Sequence, residues 1–190
     1  MAYDPRLHHR RSTRLKHYNY AWPSAYFVTI VVRGRVCLLG DEDTQELTDA
    51  GRMVEKLWLD LPRRFSFCDL SSWVVMPNHF HGILLFHDGT ALGTPAEPRT
   101  IGGTLDGTLS RVLQAWKSQT TTDYCHGVHE HGWPPFHKKL WLRGFWDRIL
   151  RDEAEWERAH AYIANNPEQW ECDKHHPVEN ARLRAAAGLA

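Results

Sequence analysis

The chain has 190 residues, 42% of them hydrophobic and 24% charged, which is the composition of an ordinary globular protein of about one domain. It holds no run of eighteen apolar residues, which excludes a transmembrane helix, and the polar, basic start Met1–Lys16 points away from a secretory leader. Lys and Arg balance Asp and Glu at 23 each, which excludes a uniformly basic nucleic-acid binder but not a locally basic one.

Residues 1–24 read as a basic N-terminal arm; residues 1–40 carry seven Lys/Arg against one acid. Tyr26–Val32 is β-branched and aromatic, the composition of a strand. Thr48–Leu61 places Met53, Val54, Leu57, Trp58 and Leu61 at helical spacing, and Pro62 closes the segment. Phe67–Met76 and His79–Phe86 read as two strands joined through Pro77 and Asn78, both turn formers. Residues 87–104, rich in Gly, Pro and Thr, read as a mobile loop.

Leu105–Tyr124 forms a second helix, with Leu109, Val112, Leu113 and Trp116 on one face. Leu140–Ile149 reads as a fourth strand, Asp152–Asn166 as a third helix ended by Pro167, and 171–190 as a tail. The basic midsection 105–151 carries seven Lys/Arg against four acids, while the acids gather in 41–60 and 152–180. A basic arm and midsection can track phosphates, although solvated faces have the same look. The four cysteines, Cys37, Cys68, Cys125 and Cys172, are far apart and read as free thiols in a reducing cytoplasm. The order β-α-β-β-α-β with a further helix predicts an α+β, ferredoxin-like core: an antiparallel sheet with helices on one face, plus a C-terminal helix.

Two groups of residues carry chemistry. In a strand, positions i and i+2 share a face, so His79 and His81 point the same way and Phe80 goes into the opposite layer. Two such imidazoles can hold one divalent metal with positions left open for substrate; the bland alternative is two sheet histidines bonded to backbone. A rival set, Cys125, His126, His129 and His131, matches no closed zinc motif and reads as a polar loop. On the third helix, Trp156, Ala159, His160 and Ile163 form the stripe that should face the sheet. At about 100° per residue, Tyr162 lies on the shoulder of that stripe, with Asn166 one turn later and about 40° around. Taken alone, a boundary tyrosine and a helix-terminal Asn are commonplace.

Together the two groups are far more specific. Tyr26-Phe27-Val28-Thr29, then Trp73–His81, Gly144–Asp152 and Tyr162-Ile163-Ala164-Asn165-Asn166-Pro167 occur in an order that resembles the single-tyrosine HUH transposases, and within them the REP-associated tyrosine transposases. The resemblance spans about residues 15 to 170 and implies a catalytic domain over 25–170. It implies Tyr162 as nucleophile, and His79, His81 and Asn166 as ligands of Mg²⁺ or Mn²⁺. It also implies a single-stranded DNA substrate bearing hairpins or palindromic repeats, cut and rejoined through a phosphotyrosine. The segment Glu168-Gln169-Trp170-Glu171 departs from the family's small or basic continuation.

The chemistry is coherent on its own terms. A phenol with a pKa of about 10 is a weak nucleophile, but a phosphotyrosine keeps the energy of the broken bond for rejoining, and a cation offsets charge developing at the phosphate. Two imidazoles suit Mn²⁺ better than Mg²⁺, which prefers oxygen. Lys117, Arg148 and Arg151 are candidate phosphate contacts, with solvated surface charge as the alternative. The tryptophans offer stacking platforms for unpaired bases, although Trp58 and Trp116 lie on apolar helix faces. The rival functions are a silent hairpin-binding regulator and a metal-dependent phosphodiesterase. A homodimer, with the tyrosine acting in its own or the partner's subunit, stays open.

Overall fold

The computed structural model describes residues 22–87, 100–101, 104–105 and 108–177. Its elements are β1 (Ser24–Val31), α1 (Asp49–Leu59), α2 (Leu61–Arg64), β2 (Cys68–Met76), β3 (His79–Phe86), β4 (Thr100–Ile101), β5 (Thr104–Leu105), α3 (Leu109–His131), β6 (Trp146–Leu150) and α4 (Glu153–Asn165). The main sheet has the order β2-β3-β1-β6, antiparallel throughout, with β3 and β1 as the inner strands. This is the ferredoxin-like order that the βαββαβ pattern predicts.

Strand alternation sorts the core into two layers. Tyr26, Val28 and Ile30 of β1, with Phe80 and Leu84 of β3, face α1 and α3, where Val54, Trp58, Val112 and Trp116 are fully buried. Gly82 leaves room for that layer, since a Cβ there would sit 2.5 Å from the Trp58 ring. On the opposite face Ile83 and Leu150 pack against Ala159 and Ile163 of α4, flanked by Phe27 and Trp156. The core helices therefore share one face, and the C-terminal helix covers the other.

Three boundaries differ from the sequence expectation. Leu105 belongs to the β4–β5 ladder, and α3 runs from Leu109 to His131, so His126, His129 and His131 ride on its last turns and not on a polar loop. Gly127, which reads as a loop residue, sits inside the helix because the Trp133 ring packs where a Cβ would be, 2.2 Å away; Gly132, at φ 68°, ends it in the left-handed conformation. Third, the stretch 140–149 is split. Trp141 bridges Val32 at the exit of β1, Gly144 turns the chain at φ 79°, and only then does β6 begin at Trp146.

Pro62 does not simply end α1 but opens the short α2, a position where its missing N–H is harmless. Most of the expected 87–104 loop, residues 1–21 of the arm and residues 178–190 of the tail lie outside the described residues. The four cysteines are free, and among the described residues no helix is long and apolar enough to cross a membrane.

Candidate metal and tyrosine site

The site starts at the inner strand β3. His79 and His81 point to the α4 side and are 0% and 1% exposed. Each ring is held through its Nδ1. His81 Nδ1 lies 2.8 Å from Thr29 Oγ1, its cross-strand partner on β1. His79 Nδ1 lies 2.9 Å from Asn78 Oδ1, and the Asn78 Nδ2 donates to the carbonyls of Arg35 and His175 at 2.9 and 2.8 Å. Because the amide nitrogen of Asn78 is engaged as donor twice, its oxygen accepts from His79, and the lone pair of His79 is left on Nε2.

The Nε2 atoms of His79 and His81 and the Oδ1 of Asn166 are all buried without a hydrogen-bond partner. Buried polar atoms left without a conventional hydrogen bond, on side chains packed beside one another, are what a cation site presents to its ion. Burial above all, together with the neighbouring imidazoles and Lys174, keeps both rings neutral: His79 falls well below 6.5 and His81 is pushed down to about 3. Neutral imidazoles are ready ligands at pH 7.

Helix α4 brings the tyrosine. Asp152 caps it, accepting from Glu155 N–H at 2.7 Å, and acids at Glu153 and Glu155 complement the helix N-terminus. His160 clips the helix to β2, its two ring nitrogens 3.0 and 2.7 Å from the hydroxyls of Ser71 and Ser72, where the β2–β3 register shifts. Tyr162 lies on the shoulder, 38% exposed. Its ring meets His81 and Phe27 edge-on, while Phe27 stacks on His81. Burial first, then the Asp173 carboxylate, raises the Tyr162 pKa, while the Asn166 amide pulls it the other way.

The chain then folds back over the histidines. Asn166 keeps helical geometry (φ −60°, ψ −41°) in spite of Pro167, is 2% exposed, and its side chain reaches both His79 and Tyr162. Trp170 anchors the return: its Nε1 donates to the Glu42 carbonyl at 2.8 Å, and its ring tilts over His79. Beyond it, Asp173 lies close enough that one ligand atom from each of His79, His81 and Asp173 falls within 4.8 Å of the others. The Asp173 Oδ1 accepts from His175 N–H at 2.6 Å, and the His175 ring packs 4.7 Å from that of His79. Sequence reasoning missed Asp173 and His175. The available signal was the dense Asp173-Lys174-His175-His176 run soon after the tyrosine, in a segment read as tail.

The expected cationic contacts divide. Lys117 lies on α3, in the layer away from the histidines, and its Nζ donates to the carbonyls of Leu142 and Gly144, both at 2.7 Å; burial lowers its pKa to about 8. It staples the turn before β6. Arg148 stands on the histidine face of β6, paired with Glu155 at 3.0 Å, and Arg151 is exposed where β6 passes into α4. Trp58 and Trp116 are core, whereas Trp146, next to His175, is 48% exposed. The rival histidines on α3 stay on the surface; His126 pairs loosely with Glu130 at 3.9 Å, and among the described residues only His79, His81 and Asp173 form a metal-ligating group.

No family model matches the chain. A protein of Haemophilus influenzae of uncharacterised function is 31% identical over 182 residues, covering 90% of this chain and 96% of the relative. Among solved structures, that of a REP-associated tyrosine transposase bound to a REP hairpin superposes with a TM-score of 0.53 at 21% identity, over 84% of this chain and 74% of the other.

Proposed function

From a chain that belongs to one family with the Haemophilus influenzae protein and shares the fold of a REP-associated tyrosine transposase, we propose a single-stranded DNA nicking and rejoining enzyme, a tyrosine transposase acting on hairpin-bearing or palindromic repeats. One observation carries this reading: His79, His81 and Asn166, each with a buried polar atom left without a conventional hydrogen bond, adjoin Tyr162, among the described residues the one tyrosine whose ring packs on a histidine of that set. The donor set fits a divalent cation. Two imidazole nitrogens, an amide oxygen and the Asp173 carboxylate would hold it, a mixture that suits Mn²⁺ better than Mg²⁺. Bound there, the cation supplies charge that polarises the scissile phosphate.

The protein's own groups do the rest. Tyr162 is a neutral phenol at pH 7, so its proton leaves as its oxygen bonds to phosphorus. The bond from phosphorus to the 3′-oxygen breaks, that oxygen takes up a proton as a free 3′-hydroxyl, and the 5′-phosphate stays on the tyrosine. Rejoining reverses the exchange with an incoming 3′-hydroxyl and needs no nucleotide triphosphate. Arg148, on the histidine face of β6, and Arg151, at the junction of β6 and α4, serve as phosphate contacts. Lys117, held by two carbonyls, does not.

The test is a denaturing gel of Mn²⁺ reactions with both strands of the DNA flanking the gene, labelled on either side of the cut, followed by peptide mapping. A covalent adduct on Tyr162, lost in Tyr162→Phe, is the expected result. Hydrolysis without an adduct would identify a plain phosphodiesterase, and binding without cleavage a regulator.

A further inference from the structure

On the tyrosine side of the sheet, a cleft of about 330 Å³ opens between β1, β6 and α4, next to the proposed metal site and bounded in part by Thr29, Arg148 and Tyr162. Its floor is apolar, formed by half-buried Phe27 with Leu150 and Ala159, and Tyr162 stands at its edge. Its rim carries Arg148, Arg158 and Lys174 against a single acid, Glu155. That acid is already engaged: its Oε1 accepts from Arg148 and its Oε2 from the Arg151 backbone N–H. Arg158 and Lys174 are exposed, and no hydrogen bond or ion pair within the described residues engages either. Two cations therefore overhang an apolar slot that ends at the tyrosine.

An apolar slot with a cationic lip is the complement of a nucleotide, whose base has apolar faces and whose phosphate is an anion. We propose that this cleft seats the nucleotide next to the phosphate that Tyr162 attacks, with its base over Phe27, Leu150 and Ala159 and its backbone held by Arg158 and Lys174. The inference rests on the nicking reading for the identity of the strand, and adds where that strand runs.

The probe is a fluorescein-labelled single-stranded oligonucleotide of mixed sequence, titrated without metal by anisotropy over a range of salt. Arg158→Ala/Lys174→Ala should bind about tenfold more weakly at physiological salt, with the slope of log affinity against log salt reduced by about 1.4, roughly 0.7 for each lost phosphate contact. Arg158→Lys/Lys174→Arg should restore both, and Arg52→Ala/Arg63→Ala on the opposite layer should match the parent. An oligonucleotide carrying 5-iodouracil should photocrosslink to the Phe27 peptide in the parent.

Unchanged affinity and salt slope in the alanine pair, with adduct formation by the parent intact, would overturn the cleft and leave the nicking reading standing. Loss of binding in the alanine pair with no adduct in the parent would keep the cleft and overturn the nicking. Crosslinks confined to peptides outside β1, β6 and α4 would also overturn the cleft.

Discussion

The Tyr162 ring stands edge-on to that of His81, with centroids 5.1 Å apart and planes at 80°. The hydroxyl is thus mounted on a packed helix beside a ring already fixed by Thr29, so the proposed nucleophile and a proposed metal ligand share one rigid frame. Tyr162→Phe keeps that ring contact and the contact with Phe27. Its stability should change by no more than about 0.5 kcal/mol, and its Mn²⁺ affinity should equal the parent's, as measured by urea unfolding and calorimetric titration.

His79→Ala and His81→Ala should each abolish metal-dependent cleavage and lower Mn²⁺ affinity at least tenfold, in line with the loss of a direct ligand. Single-stranded DNA binding without metal should stay within a few-fold, because backbone contacts and stacking supply that affinity. Cleavage at the parent rate under the same Mn²⁺ would make that histidine structural.

Asn166 and Asp173, the proposed oxygen donors, stand before and after the Trp170–Cys172 turn. Asn166→Asp should keep or tighten Mn²⁺ binding, whereas Asn166→Leu and Asp173→Leu should weaken it. Equal affinity in the Leu variants, read by the electron paramagnetic resonance of free Mn²⁺, would place the remaining ligands elsewhere.

His160 positions the tyrosine helix by joining α4 to Ser71 and Ser72. His160→Ala should cost about 1 to 3 kcal/mol, since two side-chain hydrogen bonds are lost at a partly buried site. It should slow adduct formation while leaving Mn²⁺ affinity unchanged, because no ligand is touched. A fall in metal affinity equal to the fall in rate would contradict a positioning role.

The buried histidines set the acid limit. His79 lies well below 6.5, His81 is near 3 and His175 near 4, all chiefly through burial. Below pH 6.5 the unfolded chain takes up protons that the native rings refuse. The stability these groups contribute is therefore complete above pH 6.5 and is lost as pH falls toward 4 and then 3. Each fully enclosed histidine should add a slope of about 1.4 kcal/mol per pH unit in that window, with less from the more open His175. Urea midpoints at pH 7, 6 and 5 should drop accordingly, and His175→Phe should flatten the curve.

Local pattern was enough to determine the βαββαβ order of the core, the shared face of His79 and His81, the opposite destination of Phe80, and the helix that carries Tyr162 and Asn166. Strand and helix periods act over a few residues, and a side chain's face follows from them without knowledge of the rest of the chain. Tertiary structure alone decided which groups meet those faces. Thr29 and Asn78 orient the two rings through strand register and a turn, and Trp170 seats on Glu42 to bring Asp173 and His175 onto the histidines. Lys117 is drawn to the turn before β6 because that turn presents two carbonyls to it. Gly127 stays helical because Trp133 fills the space of its missing side chain. The Thr29, Trp170 and Lys117 contacts join segments far apart in the chain, and such contacts are selected by packing of the whole core, not by any local repeat.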